Sequence, residues 1–430
     1  MGGALVAGAI VTAGPTLLTG GASAAASTSG APGVTPTSIT VGTISTQTGT
    51  LAANSSSVIY GERAYFDYVN AHGGVNGRKI DYKYALDDGG NPTTFNQLAN
   101  TLINQDHVFA VSGVATIFFS PSLFVESGIP TYGYNVTDNW APAPNLFAAG
   151  GSTQYYQAGA AEFAYVARKT QAKPSIALVA YGVAASSDAC QAAETALQNE
   201  GYDVSYVDLK ISYPGTTVAT DVQRMKQAGS NFVLSCMDVQ GNVAMTRAIH
   251  QYGLKATQLW LNGNDVPTLQ ANKDLMQGIY FATYHVPFTA PTHLYPGLTL
   301  YLQQMKKYEP KYVYNELAAQ GWESAALFVQ GVRMAGNDLT WANVIKQTNS
   351  LTSFTAGGLT APVNWAVGGH QGHAPPYCVA YVEAKGTQFV PVLNHGDNVF
   401  NCFHSASTKA NPVFPVPTGT PAPHSLPAAE

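Results

Sequence analysis

The chain has 430 residues, length enough for two ordinary domains with substantial cores. It is 46% hydrophobic and only 10% charged, far below the roughly 25% charge of an average globular protein. A net charge of −5 excludes the basic footprint of a nucleic-acid binder.

In chain order, residues 1–30 are almost entirely small or apolar, with an apolar run at 5–13 and small-residue cleavage sites at Ala22-Ser23-Ala24 or Ala24-Ala25-Ala26. They read as a secretory signal peptide whose basic start lies upstream, because no Lys or Arg precedes Arg63; a low-complexity tail is the alternative. Glycines and Pro15 interrupt the run before it reaches the roughly 20 residues a membrane span needs, so no integral span is expected. Residues 31–38 form a linker. Alternation at 39–45 predicts a strand. Val58, Gly61, Tyr65, Tyr68 and His72 recur every three or four positions and mark a helix, which Gly73-Gly74 ends. Strands at 80–86, 108–112 and 129–134 then alternate with helices from Pro92 and at 121–126.

A second strand–helix series follows. Helices at 152–169, 187–199, 217–228, 242–252 and 269–276 alternate with strands at 175–181, 203–209, 232–236, 258–261 and 278–284. Helices at 298–308, 316–335 and 341–350 should return to the first series, and strands at 376–383 and 388–393 should rejoin the second. Residues 404–430 read as a flexible Pro-rich tail. The alternating order predicts an α/β fold with parallel sheets covered by helices. Four cysteines, an even number, suit an oxidising compartment. Three pairings are possible, and Cys190–Cys236 with Cys378–Cys402, each inside one predicted region, is the expected one; four buried thiols are the alternative.

The stretch from residue 39 to Pro92 carries a resemblance. A strand, Gln47-Thr48-Gly49, a helix ending Asn70-Ala71-His72-Gly73-Gly74-Val75-Asn76-Gly77, a strand, and Asp87-Asp88 before Pro92 resemble the start of type I periplasmic binding proteins. These are the branched-chain amino-acid (Leu/Ile/Val) binding family of ABC importers. The resemblance implies two doubly wound parallel-sheet lobes joined by a three-crossover hinge, with crossovers near Phe147, Tyr284 and Val363. Lobe 1 would hold residues 39–147 and 284–362, and lobe 2 residues 148–283 and 363–403. It also implies a secreted or cell-envelope protein that captures a small molecule by hinge closure and presents it to an ABC permease. The lipidated Cys of many family members has no counterpart here, since the first cysteine is Cys190. A ligand-sensing receptor of the same fold is the alternative.

Independently of family, ligands of doubly wound sheets lie beyond the carboxyl ends of the strands. That selects the loops at 46–51 (with Gln47 and Thr48), 113–120, 134–140, 181–188, 237–242 and 262–265 (with Asn262). By resemblance, Thr116 and Thr137 would meet a ligand carboxylate, although Thr116 precedes three apolar residues where the family has a polar run. A hydroxyl capping its own turn is the other reading of Thr116. Ala185 and Gly263 stand where amino-acid binders carry a Tyr and an acid for the ligand ammonium; Asp265 or Asp238 would have to replace that acid. A buried ammonium without a carboxylate is costly, so the substitution argues against a simple α-amino acid. The loops instead hold Phe118, Phe119, Tyr134, Trp140, Tyr155, Tyr156, Tyr181 and Trp260, which predicts a partly apolar or aromatic ligand, including a carboxylate.

Enzyme signatures are missing: no Gly-x-Ser-x-Gly, phosphate-loop or His-Glu-x-x-His pattern occurs. His370, His373 and His395 read as turn residues rather than a metal site. Asp87-Asp88 diverge on an extended segment and read as a loop and helix-start pair. No catalytic residue, metal or cofactor is expected.

Overall fold

The computed structural model describes residues 31–49, 51–135, 137–141, 143–150, 160–213, 215, 217–313, 315–366, 377–405 and 407–413. The signal-peptide expectation, Tyr155, Tyr156, His370, His373 and the tail beyond 413 lie outside them.

The first sheet contains β1 (Ser38–Ser45), β2 (Lys79–Asp87), β3 (Ala110–Val114), β4 (Thr131–Gly133) and β5 (Leu146–Ala148), in the order β2-β1-β3-β4-β5. Every pairing is parallel. One face carries α1 (Val58–Ala71), α10 (Pro296–Tyr308), α11 (Glu316–Ala335) and α12 (Trp341–Thr348). The other carries α2 (Pro92–Asn104) and α3 (Ser122–Ser127). Strand periodicity divides the core between them: Val41 and Ala110 face the first group, Ile44 and Val111 the second.

The second sheet repeats this order. It contains β6 (Ser175–Tyr181), β7 (Asp203–Ile211), β8 (Phe232–Ser235), β9 (Thr257–Trp260) and β10 (Tyr280–Thr283), with β6 between β7 and β8. Parallel pairing runs from β7 to β10, and β11 (Tyr377–Lys385), β12 (Gln388–Val392) and β13 (Phe400–Phe403) extend the sheet antiparallel. Helices α4 (Ala161–Thr170) and α5 (Ala184–Asn199) cover one face. The other takes α6 (Ala219–Ala228), α7 (Val239–Tyr252) and the short α8 (Val266–Ala271) and α9 (Lys273–Met276). The strands β5 and β13 do not figure among the elements expected from periodicity, being three and four residues long.

The motif that carried the resemblance turns out to be scaffold. Asn70 brackets Ile80, its Nδ2 donating to the carbonyl at 2.8 Å and its Oδ1 accepting from the amide at 2.7 Å. Asn76, at φ 50, donates to the carbonyls of Val332 and Gly336, both at 2.8 Å. The turn thereby satisfies carbonyls that the end of α11 leaves unpaired. Gly74, at φ +80, sits so close to the Arg78 carbonyl that a Cβ would lie 2.0 Å from it. Asn91 caps α2 through Thr93 and Thr94, with Pro92 at the first helical position.

Both expected disulfides are present. Cys190–Cys236 ties α5 to the end of β8, and Cys378–Cys402 joins directly paired residues of β11 and β13. Residues 407–413, expected to begin a flexible tail, are instead held on the second lobe. The Glu200 carboxylate accepts from Ser407 Oγ at 2.8 Å and Thr408 N at 3.0 Å, Arg168 donates to the carbonyls of Thr408 and Ala410, and Val413 pairs with Cys402.

Candidate functional site

The strand order of each sheet reverses beside its first strand, between β1 and β3 and between β6 and β8. The carboxyl ends of both sheets point at each other across a cleft. A cavity of about 160 Å³ lies there, lined by the loops after β1, β3, β4, β5 and β6 to β10, and by the start of α11. Cavities of roughly 150 Å³ take one benzene ring, so the volume suits a single-ring or short aliphatic body.

The described parts of the chain that pass between the lobes lie beside it. Gly150, leaving β5, donates to Glu323 Oε1 of α11 at 3.0 Å. His285 and Thr360 pair antiparallel, with Val286 donating to Leu359 at 2.8 Å and Ala361 to Tyr284 at 3.2 Å. These two segments therefore run as a two-stranded ribbon. Buried His285 Nε2 lies 3.3 Å from Glu323 Oε2, within ion-pair range though not aligned as a hydrogen bond. A further join is at the cleft: Asp265 bridges Asn315, and Glu316 N donates to Asn264 O at 3.3 Å.

Six of the residues singled out from sequence line the cavity: Thr116, Tyr134, Tyr181, Asp238, Asn262 and Asp265. Asp238 caps α7, accepting from Gly241 N at 2.9 Å and from the Tyr181 hydroxyl at 2.7 Å. That bond and burial push the Tyr181 phenol well above its ordinary pKa, burial being the larger cause, so the ring presents a neutral hydroxyl. Thr116 caps its own turn, its Oγ1 accepting from Phe118 N at 3.2 Å, and it also borders the cavity. Burial raises the Asp265 carboxyl; its Oδ2 accepts from Thr268 Oγ1 at 2.7 Å while buried Oδ1 has no donor.

Gln47, Thr48, Phe118, Thr137 and Trp260 are elsewhere. Gln47 and Thr48 close the β1 loop onto Asp87, which accepts from Gln47 N at 2.8 Å and from the Thr48 hydroxyl at 2.6 Å. Phe118 is half-buried off the lining, and Thr137 has a buried hydroxyl that also lies off it. Trp260 faces the core of the second lobe, its ring 5.1 Å from Phe281, because it occupies the strand position pointing away from the cleft; the next residue, Leu261, lines the cavity. Phe119 and Trp140 likewise stack on each other at 4.0 Å inside the first lobe. Among the described residues, the expected aromatic lining reduces to Tyr134 and Tyr181, joined by Tyr213 and Tyr284.

Ala185 and Gly263 do border the cavity, without side chains that could hold a ligand. An acid is nonetheless present, since Asp238, Asp265 and Glu316 all line it. The cavity thus offers carboxyl groups to an ammonium, which removes the ground for arguing against a simple α-amino acid. Sequence reading missed Asn315, Glu316 and Gln320 altogether, and reached Asn264 only as part of the loop at 262–265. Glu316 begins a helix that was recognised, but nothing local shows that this helix starts at the cleft. Burial raises the Glu316 carboxyl to about 7, against the lowering effects of the His285 charge, the Thr283 hydroxyl and the Asn264 backbone. Among the described residues no cluster of metal-ligating side chains occurs, and no helix is long and apolar enough to cross a membrane.

The periplasmic binding protein family model matches residues 38–388. No functionally curated protein matches the chain by sequence. Solved structures share the fold at low identity. A fatty acid ABC transporter substrate-binding protein from Thermomonospora curvata is 19% identical, with a TM-score of 0.74 over 91% of this chain and 97% of that one. A branched-chain amino acid ABC transporter protein from Thermus thermophilus with bound valine is 18% identical, with a TM-score of 0.72 over 87% and 99%. A solute binding protein from R. palustris in complex with benzoate is 16% identical, with a TM-score of 0.67 over 89% and 99%.

Proposed function

This chain belongs to the periplasmic binding protein family, and from that premise we propose that it is the extracytoplasmic capture component of an ABC importer. It binds one small molecule between its lobes and hands it, closed, to a membrane permease. The carrying observation is the cavity between the carboxyl ends of two like sheets, with Gly150 and the paired segments at His285 and Thr360 beside it. We take residues 39–147 with 284–362 as one rigid body and 148–283 with 363–403 as the other, closing about the ribbon at His285 and Thr360. Structures of this fold with valine or benzoate, and one named for a fatty acid transporter, favour a small organic ligand with an apolar part. Leu261, Val183 and Ile117 supply matching surface.

A thermal-shift screen of small amines, acids, amides and amino acids, followed by solution scattering, tests this. A ligand that binds only the folded form at 100 times its Kd adds about 2.7 kcal/mol of stability, a plain rise in melting temperature. The expected hit also reduces the radius of gyration, and Leu261→Arg, which fills the cavity, abolishes both effects. A hit that is turned over to a product, or that leaves the lobes unmoved, overturns the reading.

A further inference from the structure

The chemistry of the cavity wall is one-sided. Its described lining residues include three carboxyl side chains, Asp238, Asp265 and Glu316, and no Lys, Arg or His. Several acceptors on it have no donor: Asn264 Oδ1, Gln320 Oε1, Asp265 Oδ1 and Asn262 Oδ1 are buried and unpaired. Asn264 is 2% exposed and Gln320 8%. The Asn262 amide is oriented by its own Nδ2, which donates to Met237 O at 3.0 Å, leaving its oxygen as the unpaired end. Buried acceptors are completed by donors, and a charged N–H donor makes the stronger bond. A carboxylate would meet the same wall as repulsion.

These acceptors come from both lobes. Glu316 and Gln320 project from consecutive turns of α11, which packs on the first sheet, whereas Asn264 follows β9 of the second. The lobes already touch here through Glu316 N and Asn264 O. We propose that the cleft takes a small organic cation, an amine with a single-ring or short alkyl body and no carboxylate, its N–H groups bound by Glu316, Gln320 and Asn264. The inference rests on the capture reading and names its ligand class. It assigns ligand recognition to helix α11, outside the loop positions that the resemblance points to. A cation held by both lobes is also a reason for closure, since neither lobe alone completes its shell.

The test is calorimetric titration of the full chain with phenethylammonium and pentylammonium, against the matched alcohols and carboxylates, at pH 8. The amines should bind roughly tenfold or more tighter than the alcohols, and the carboxylates should not bind. Glu316→Gln keeps an acceptor but removes the charge, so it should cost the amines roughly tenfold and leave the alcohols unchanged. Gln320→Leu should weaken both amines and alcohols. Amine binding should weaken from pH 8 to pH 6 as Glu316 takes a proton, and the Glu316→Gln variant should lose most of that slope. His285, Glu323 and Asp265 are the other ionisable side chains beside Glu316, and the comparison with the variant controls for them. Carboxylates binding best with compaction would overturn the amine inference and keep the importer reading. Amines binding equally well to Glu316→Gln, or no binding by any probe, would overturn the inference as well.

Discussion

Glu62 is a fully buried carboxyl on the sheet-facing side of α1, and its environment makes it a measurable liability. Neither oxygen has a well-aligned donor, so the Ser112, Tyr82 and Thr43 hydroxyls around it offset burial only in part, and its pKa is pushed up to about 8. Glu162, beside Tyr377 in the second lobe, is raised to about 7, again mainly by burial. The native state holds these protons while the unfolded chain releases them near the ordinary carboxylate pKa. Unfolding is therefore favoured progressively as pH rises from about 4.5 to about 8, and stability levels off above that. The expected size is a few kcal/mol for Glu62, since each pKa unit is worth about 1.4 kcal/mol. The urea midpoint of the unliganded protein should fall between pH 5 and pH 8, and Glu62→Gln should flatten much of that fall. A midpoint that rises over this interval would show Glu62 to be ionised in the fold.

At the scale of elements, the first lobe depends on how closely α1 and α11 approach. A Cβ on Gly61 would lie 1.7 Å from the Ala318 carbonyl, and one on Gly321 would lie 2.0 Å from the Val58 carbonyl. Both obstacles are backbone, which has no rotamer to give. Gly61→Ala should therefore cost at least the roughly 1–3 kcal/mol typical of overpacking. Gly73→Ala, where φ is +89 but nothing lies within 4 Å, should cost only the roughly 1–2 kcal/mol of left-handed strain. Equilibrium urea unfolding of the two variants separates close approach from backbone preference. In the second lobe, Cys190 and Cys236 are 46 residues apart. Their disulfide should contribute about 4 kcal/mol by restricting the unfolded chain, so the Cys190→Ser/Cys236→Ser double variant should melt well below the parent. An unchanged melting temperature would mean that the unfolded chain is already compact there.

For the molecule as a whole, Glu323 links the connections: its two oxygens face Gly150 on the first and His285 on the second. Glu323→Gln keeps an acceptor for Gly150, whereas Glu323→Ala removes both contacts without touching the cavity lining. The alanine variant should sample more open forms and bind ligand more weakly by the fraction of closed-competent molecules lost. The glutamine variant should stay near the parent. Affinity together with the radius of gyration of the unliganded protein checks this. Equal behaviour of the two variants would assign the effect to the charge facing His285.

Much of the fold was legible because its signals are local. Strand alternation, helix spacing, the Asn91 cap and the Gly73-Gly74 stop each depend on near neighbours, so the order of elements and the two parallel sheets could be read without coordinates. The site was legible only as a set of loops. Which residue of a loop faces the cleft depends on strand phase and on the opposite lobe. That is why Trp260 and Phe119 proved to be core and Gln47 and Thr48 loop staples. Glu316 and Gln320 become site residues only when chain returning through the hinge ribbon brings the start of α11 to the carboxyl ends of both sheets. The amino-acid sequence by itself determined the lobes, their helices and their chemistry of low charge. Tertiary structure alone decided the polarity of the cavity, because buried acceptors from segments 52 to 56 residues apart have to be brought to one wall before their missing donors mean anything.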